Sequence, residues 1–398
     1  MRGGNTVGLR AYNERLVIDA ILRAGPLSKA EIARATGLSG QAAKVIVTSL
    51  LDDGLLLQGE KIRGQVGQPS TPNMINPRGA FSIGVKIGRS STDAILVDFT
   101  GAVVARRQKP HAAPIPDEAL ETACRYVEAL AAELGEAERA RICGVGLAMP
   151  SDIELWSDEL GVAPERLEGW GTLDPAAVIG ARSALSTVVL NDATAACAAE
   201  MMLGDGITRS SALYLYLGAF IGAGIVIDGR LYQGAAGNAG AIASMPTCTA
   251  AASGRPAQLV GTASVIALER ALSDAGIRFE TVFDAEPTPE AEAVYRAWRD
   301  ENIDGIARAI VSALAILDFE TVVIDGVLPP QWRRDIVRQV RTALTRFDLR
   351  GIVVPQLVTG SVGPPARVLG AALMPLRVRF SPDPKLLVAG RKPAAAGA

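Results

Sequence analysis

Histidine is nearly missing from this chain, with one residue, His111, in 398. A multi-histidine zinc site is thereby excluded, and a Ser/His/Asp triad would have to be built on His111 itself. The stretch HAAPIP around it reads as surface rather than catalytic. Cysteine is scarce too: Cys124, Cys143, Cys197 and Cys248 are scattered with no CxxC spacing. Neither a disulfide framework nor a thiolate metal cluster fits, so reduced, buried thiols in a cytoplasmic protein are expected. Aromatic residues are only 5%. The best candidate for a membrane span, residues 210–227, is interrupted by Gly218, Gly222 and Gly224 and divides into strand-like ALYLYL and GAGIVI. The opening MRGGNTVGLRAYNER has no apolar signal core. A cytoplasmic protein with no membrane partner is the expectation.

What the chain does hold is 49% apolar and 21% charged residues and 41 glycines, enough for packed cores and many tight turns. At ~150 residues per domain the length suggests two or three domains. The net charge of −2 is unevenly spread. Residues 1–76 carry nine Lys/Arg against six Asp/Glu, a surplus of +3, and the remainder carries −5. A basic head on an acidic body points weakly to a polyanionic partner.

The head has three helical segments. In NERLVIDAILR (13–23), Leu16, Val17, Ile21 and Leu22 share one side, and Gly25-Pro26 ends the run. Ser28 three residues before Glu31 is a capping box for a short helix over 29–36, and Gly37 is its left-handed stop. Ser39 caps a third helix over about 40–53. Ala43, Ile46, Val47 and Leu50 fall on its core side, leaving Gln41, Ala42, Lys44, Val45 and Thr48 outside. That is helix-turn-helix spacing. A Gln amide suits adenine, a Lys suits guanine or phosphate, and small apolar groups suit thymine methyls. LLLQGEKIRGQVGQPS then reads as strand, Gly-rich basic loop and strand, a wing that offers Lys61 and Arg63 to phosphates. A three-helix protein-interaction module with solvated lysines is the competing reading; cap, turn and wing at these spacings favour double-stranded DNA.

A Pro/Asn/Gly connector at 71–79 marks a domain boundary. Beyond it, strand triplets followed by alternating helices and strands occur twice. This predicts a duplicated α/β body with a cleft between two lobes, where ligands sit at strand ends. The expected divisions are 1–74 for the winged helix, 75–192 and 193–378 for the lobes, and 379–398 for a frayed tail.

Several segments of the body resemble the ROK group (repressors, open reading frames and sugar kinases) of the actin/hexokinase-like, ribonuclease H-like superfamily. They are IGVKIG (83–88), GVGLAMP (144–150), LNDATAACAAE (190–200), LGAFIGAGIVIDGRLYQGAAGNAGAI (217–242), FETVVIDG (319–326) and GPPARVLGAAL (363–373). The resemblance covers about 75–378, and a winged helix in front is what the repressor branch carries. Departures from the family pattern lie where the chemistry would be. The first phosphate loop, which reads like DIGGTK in the family, has Lys86 in place of the acid and Arg89 in place of a turn glycine. That charge reversal repels Mg²⁺, and the Arg side chain obstructs backbone approach. The second loop has Ala219 for a threonine and Phe220 for a glycine. Asn191-Asp192 matches the family's asparagine and catalytic aspartate; Asp192 is a vestigial base or a sugar contact, and an Asn-Asp helix cap explains the same pair. In the GxxGEIGH run, Ala241 stands for the sugar-binding Glu and Ser244 for the metal-linked His. The cysteine-rich zinc segment is lacking as well. No zinc or other cofactor is therefore expected, and Asn238, Ser244 and Ser151 are the candidates to join Asn191 and Asp192 in holding an effector. Trp170 is expected in the core rather than against a sugar. The wing run 64–69 lacks the family's arginines, which weakens minor-groove contact.

The resemblance implies a dimeric, ligand-responsive DNA-binding regulator, a repressor of carbohydrate uptake or catabolism genes. An ATP-dependent sugar kinase with a DNA-binding head is the alternative. A body that only dimerises the head, with a cleft that binds nothing, is a third reading.

Overall fold

The computed structural model describes residues 6–60, 71–250, 256–283 and 286–383. Lys61, Arg63, the wing run 64–69 and the tail from 384 lie outside the described residues.

The head comprises α1 (Thr6–Ala24), α2 (Lys29–Thr36), α3 (Gly40–Asp52), β1 (Leu56–Gln58) and β2 (Asn73–Ile75). Helix α1 begins earlier than its periodicity suggests, and its core face is Val17, Ile18 and Ile21. Leu22 is turned away and is 45% exposed. Antiparallel β1 and β2 pair Leu56 with Ile75 and Gln58 with Asn73. Leu27 joins them through reciprocal backbone bonds with Asn73. The buried Asn73 amide also donates to the Leu27 carbonyl at 3.1 Å, fixing the base of the wing.

Two five-stranded sheets form the body, each with an antiparallel triplet and parallel flanks, the duplication expected from sequence. The first has the order β5-β4-β3-β6-β7, built from β3 (Phe81–Ile87), β4 (Ser91–Asp98), β5 (Val103–Pro110), β6 (Ile142–Met149) and β7 (Thr187–Asn191). Its outer face is covered by α4 (Pro116–Ala132) and α7 (Pro175–Ser183), with short α5 (Glu136–Arg139) and α6 (Ser157–Leu160) in the connections. Trp170 is buried there and donates from Nε1 to the Pro114 carbonyl at 2.7 Å, the core role expected of it.

After α8 (Asp192–Leu203) comes the second sheet, in the order β10-β9-β8-β13-β14. Its strands are β8 (Ala212–Leu217), β9 (Ile221–Ile227), β10 (Arg230–Tyr232), β13 (Thr321–Gly326) and β14 (Gln356–Thr359). Between β10 and β13 lie a small hairpin, β11 (Pro246–Ala250) and β12 (Pro256–Gln258), and helices α9 (Val260–Ala263), α10 (Val265–Asp274) and α11 (Pro289–Leu314). With α12 (Pro330–Leu344), α10 and α11 supply the large apolar core on this sheet's outer face.

The last helix, α13 (Ala366–Phe380), does not stay with the second lobe. It lies on the first sheet so closely that a Cβ added at Gly146 would stand 1.8 Å from the Ala371 carbonyl oxygen. On its other side it packs against α8: a Cβ at Gly370 would meet the Ala195 oxygen at 1.6 Å. Helix α8 in turn lies against β9 through Ala193 and Cys197, opposite Gly222 and Gly224. The small residues that fill α8 and α13 are thus what lets two helices pass between two sheets. Residues 379 and 380 are helical rather than frayed, and Phe380 packs on Phe99 with ring centroids 4.5 Å apart.

One apolar cluster runs from the head into the body: Val17, Ile46 and Leu56 share it with Ile95 and Val97 of β4 and Leu376 of α13. Arg15 of α1 donates to the Val378 and Ser381 carbonyls, each at 3.2 Å. Arg141 donates to the Asp53 and Gly79 carbonyls, and the Asn76 amide donates to the Gly54 carbonyl at 2.7 Å. The head is thereby packed on the first lobe rather than hung from a free linker. No helix among the described residues is long and apolar enough to cross a membrane.

Candidate functional site

Two regions carry the candidate residues: the exposed face of α3 and the cleft between the lobes. In the head, the Ser28 hydroxyl accepts from the Glu31 amide at 3.3 Å, and Glu31 Oε2 accepts from the Ser28 amide at 2.8 Å. This closes the capping box read from sequence. Gly37 takes φ +72° after α2, and the Ser39 hydroxyl caps α3 by accepting from the Ala42 amide at 3.2 Å. Ala43, Ile46, Val47 and Leu50 are buried. Ser39, Gln41, Lys44, Val45 and Thr48 are exposed, and Ala42 is half-buried. Thr48 donates its hydroxyl to the Lys44 carbonyl at 2.9 Å. Val45 is 57% exposed on a helix whose core face is already filled.

In the cleft, β6 and β7 end side by side and bring Ser151, Asn191 and Asp192 together. Asn191 caps α8 by accepting from the Ala193 amide at 3.0 Å, and its Nδ2 donates to the Ser151 hydroxyl at 3.0 Å. The cap is therefore present, and it leaves the neighbouring carboxylate free for another partner. That partner is Arg367 at the start of α13, whose guanidinium donates to Asp192 Oδ2 at 3.2 Å. Arg367 also lies over the Tyr216 ring, 5.2 Å from its centroid. Burial opposes the Arg367 charge, but Tyr216 and Asp192 hold its pKa above the ordinary arginine value. Asn238 and Ser244 are exposed on the segment after β10. Among the described residues no hydrogen bond joins either of them to Ser151, Asn191 or Asp192.

Lys86, Arg89 and Phe220 each have a partner of their own. Lys86 forms an ion pair with Asp93 and donates to the Ser91 hydroxyl at 3.2 Å. Burial lowers its pKa, and nearby Arg367 lowers it further. Arg89 of the first lobe pairs with Glu269 on α10 of the second. Burial raises the Glu269 carboxyl above its ordinary value in spite of that partner. Phe220, in the turn between β8 and β9, meets Trp156 of the first lobe with ring centroids 3.7 Å apart. The first amides of α10 are occupied as well, since Val265 and Ile266 donate to the Gly218 and Ala219 carbonyls. Arg89–Glu269 and Trp156–Phe220 thus tie the two lobes together.

His111 is half-buried rather than on the surface. Neither ring nitrogen has a hydrogen-bond partner among the described residues. Desolvation, followed by the charges of Lys86 and Lys109, lowers its pKa. Among the described residues no group of three His, Cys, Asp or Glu side chains is placed to hold a metal ion.

Sequence reasoning singled out neither Arg367 nor Trp156 nor Glu269. Arg367 sits inside a quoted motif, GPPARVLGAAL, and a lone arginine before a small-residue helix was its signal. Nothing local marks Glu269, whose partner is 180 residues away.

A ROK family model matches residues 82–377, and a winged helix-turn-helix DNA-binding model matches residues 10–56. The uncharacterized protein y4fQ of Sinorhizobium fredii is 26% identical over 372 residues, 92% of this chain and 91% of that one. The xylose repressor of Bacillus subtilis is 20% identical over 237 residues, 60% of this chain and 61% of that one. Among solved structures, a ROK family transcriptional regulator homologous to the E. coli MLC protein superposes with a TM-score of 0.67. It is 19% identical and covers 96% of this chain and 100% of its own, a likeness of fold. With the family model spanning most of the body, the chain belongs to the ROK family.

Proposed function

We propose that this protein is a DNA-binding transcriptional regulator that represses genes of carbohydrate uptake or catabolism and answers to a sugar-like effector in the interlobe cleft. The observation that carries the reading is the exposed face of α3, Gln41, Lys44, Val45 and Thr48, on a helix capped at Ser39 and packed through the head's core onto the body. Ser39 and that face enter the major groove, with Ala42 at its margin; Lys61 and Arg63 of the wing meet phosphates. The effector is held by Asn191, Asp192 and Ser151, with Asn238 and Ser244 closing over it from the second lobe. A xylose repressor among the relatives supports a sugar as the ligand class.

Coupling runs along α13. Its first turn holds Asp192 through Arg367, and its last turn holds the head through the bonds from Arg15. A sugar hydroxyl that competes for Asp192 releases one end of a helix whose other end seats α1. Only different affinity for the two lobe arrangements gives a response, and linkage makes it reciprocal. The operator is read by a homodimer, each head taking one half-site. The protein acts without catalysis, because cations and a phenyl ring occupy the phosphate loops.

Fluorescence anisotropy with DNA from upstream of its own gene, at moderate salt and across a panel of aldoses and their phosphates, tests this reading. Sequence-preferring binding that one sugar weakens supports it. Absence of sequence preference refutes the DNA half, and indifference to every sugar refutes the effector half. ADP release at ordinary enzymatic rates with any of those sugars would establish the kinase instead.

A further inference from the structure

A cavity of about 640 Å³ opens where the head and both lobes meet, at the far end of α8 from Asp192. Its volume lies within the range of small-molecule sites. The head contributes Leu22 and Arg23, the first lobe Phe99, the end of α8 Met201 to Leu203, and α13 Leu376 and Arg377. Two features of this lining are not explained by folding. Leu22 and Leu203 are 45% and 43% exposed on a concave wall of mixed polar and apolar character, which Asp19 and Asp228 also line. Half-buried Arg377 has no carboxylate within ion-pairing distance among the described residues. The acid that acts on it, Asp19, is already held by Arg23 at 2.8 Å.

The geometry points to a binding site for a small amphipathic anion, an alkyl carboxylate or alkyl phosphate, whose charged group pairs with Arg377 while its apolar body covers Leu22, Met202 and Leu203. An occupant there touches α1, the first sheet, α8 and α13 at once, so it bridges the head to the body. The site is separate from the sugar cleft and does not depend on the proposed role of that cleft. Burial lowers the Arg377 pKa, and the Asp19 carboxylate opposes this only in part.

The test is calorimetric titration of the full chain with octanoate and octyl phosphate, using 1-octanol and acetate as the body-only and charge-only controls. Saturable 1:1 binding of either amphiphile is expected, with each control at least about ten-fold weaker. Arg377→Met should weaken binding about ten-fold or more, whereas Arg350→Met, the same change at an exposed arginine, should leave it intact. Leu203→Trp narrows the cavity from an exposed position and should abolish binding even if the Arg377 variant fails to fold. Failure of both amphiphiles to bind at millimolar concentration, octanol binding as tightly as octanoate, or unchanged affinity in Arg377→Met would each overturn the assignment. The discriminating octyl phosphate arm tells whether the anion is phosphate-headed or carboxylate-headed.

Discussion

Asp192 and Arg367 join the first turns of α8 and α13, and a double-mutant cycle measures how much that joint is worth. At 3.2 Å and an effective dielectric of ~20, the gross attraction is about 5 kcal/mol. Most of this is offset by desolvation, because the side chains are only 13% and 23% exposed for Arg367 and Asp192. The intact pair therefore adds little net stability, but breaking it is expensive. Loss of one partner of a fully buried pair costs roughly 3–5 kcal/mol, and the partial exposure here reduces that to about 2 kcal/mol for Asp192→Asn. Arg367→Met should cost about 1 kcal/mol more, since it also removes the cation above Tyr216. The double variant should be at least about 1.5 kcal/mol more stable than the sum of the two losses implies. Urea unfolding followed by tryptophan fluorescence gives all four values from the first resolved transition. Additivity within about 0.5 kcal/mol would mean that the two side chains do not act as a unit. The proposed route from the cleft to the head would then fall with it.

Four further outcomes follow from particular residues. Val45→Glu should leave the thermal midpoint within experimental error, because the side chain is exposed, yet weaken operator binding at least about ten-fold; equal affinity would place the groove-facing surface elsewhere. Ser39→Ala should cost about 1 kcal/mol through loss of the α3 cap, measured by denaturant unfolding of the head's transition, and an unchanged midpoint would contradict the cap. Gly370→Ala should destabilise by more than about 3 kcal/mol or abolish soluble expression, since the added methyl meets backbone on α8; a folded, equally stable variant would show that α8 and α13 lie farther apart. His111 titrates below its unfolded value of about 6.5, so its stabilising contribution is present at neutral pH and is lost as pH falls below that value toward its folded pKa. His111→Gln should therefore flatten the fall in thermal midpoint between about pH 7 and 5, and parallel curves would refute a depressed pKa.

The chain reports local structure well and distant pairings poorly. Caps at Ser28 and Ser39, the core side of α3 and the strand triplets after 80 and 211 were legible because each depends on a few neighbouring residues. The head's first helix was only half legible: periodicity put Leu22 inside, but the body supplies a wall that favours Ile18 instead. His111 was misplaced for a related reason: it directly follows β5, and Lys86 of the more distant strand β3 is close enough to act on it, a neighbour that the local sequence does not announce. At the cleft, the substitutions Lys86, Arg89 and Phe220 could be read one by one as losses. Of their partners, Asp93 faces Lys86 directly across the β3–β4 hairpin and was within local reach, whereas Glu269, 180 residues from Arg89, and Trp156 leave no local signature.

Those partners change what the losses mean physically. Here a buried lysine, an arginine and a phenyl ring would each destabilise the fold if left alone, through an unpaired charge or an exposed ring. Instead, each is matched by a side chain, two of them across the lobe boundary. Arg89–Glu269 and Trp156–Phe220 give one lobe arrangement contacts that would be lost if the lobes rotated apart. Lobe states that differ in these contacts would let a ligand in the proposed cleft act by favouring one of them. A few kcal/mol is the scale such contacts supply, and about 5.5 kcal/mol of differential affinity suffices to invert a 99:1 population. Loosening the joint by Glu269→Gln should therefore lower the sugar concentration at half response without touching Asn191 or Asp192, if the sugar favours the open state. If the sugar favours the closed state, the same change should raise it. An unchanged half-response would show that these contacts hold the lobes without bearing on the ligand.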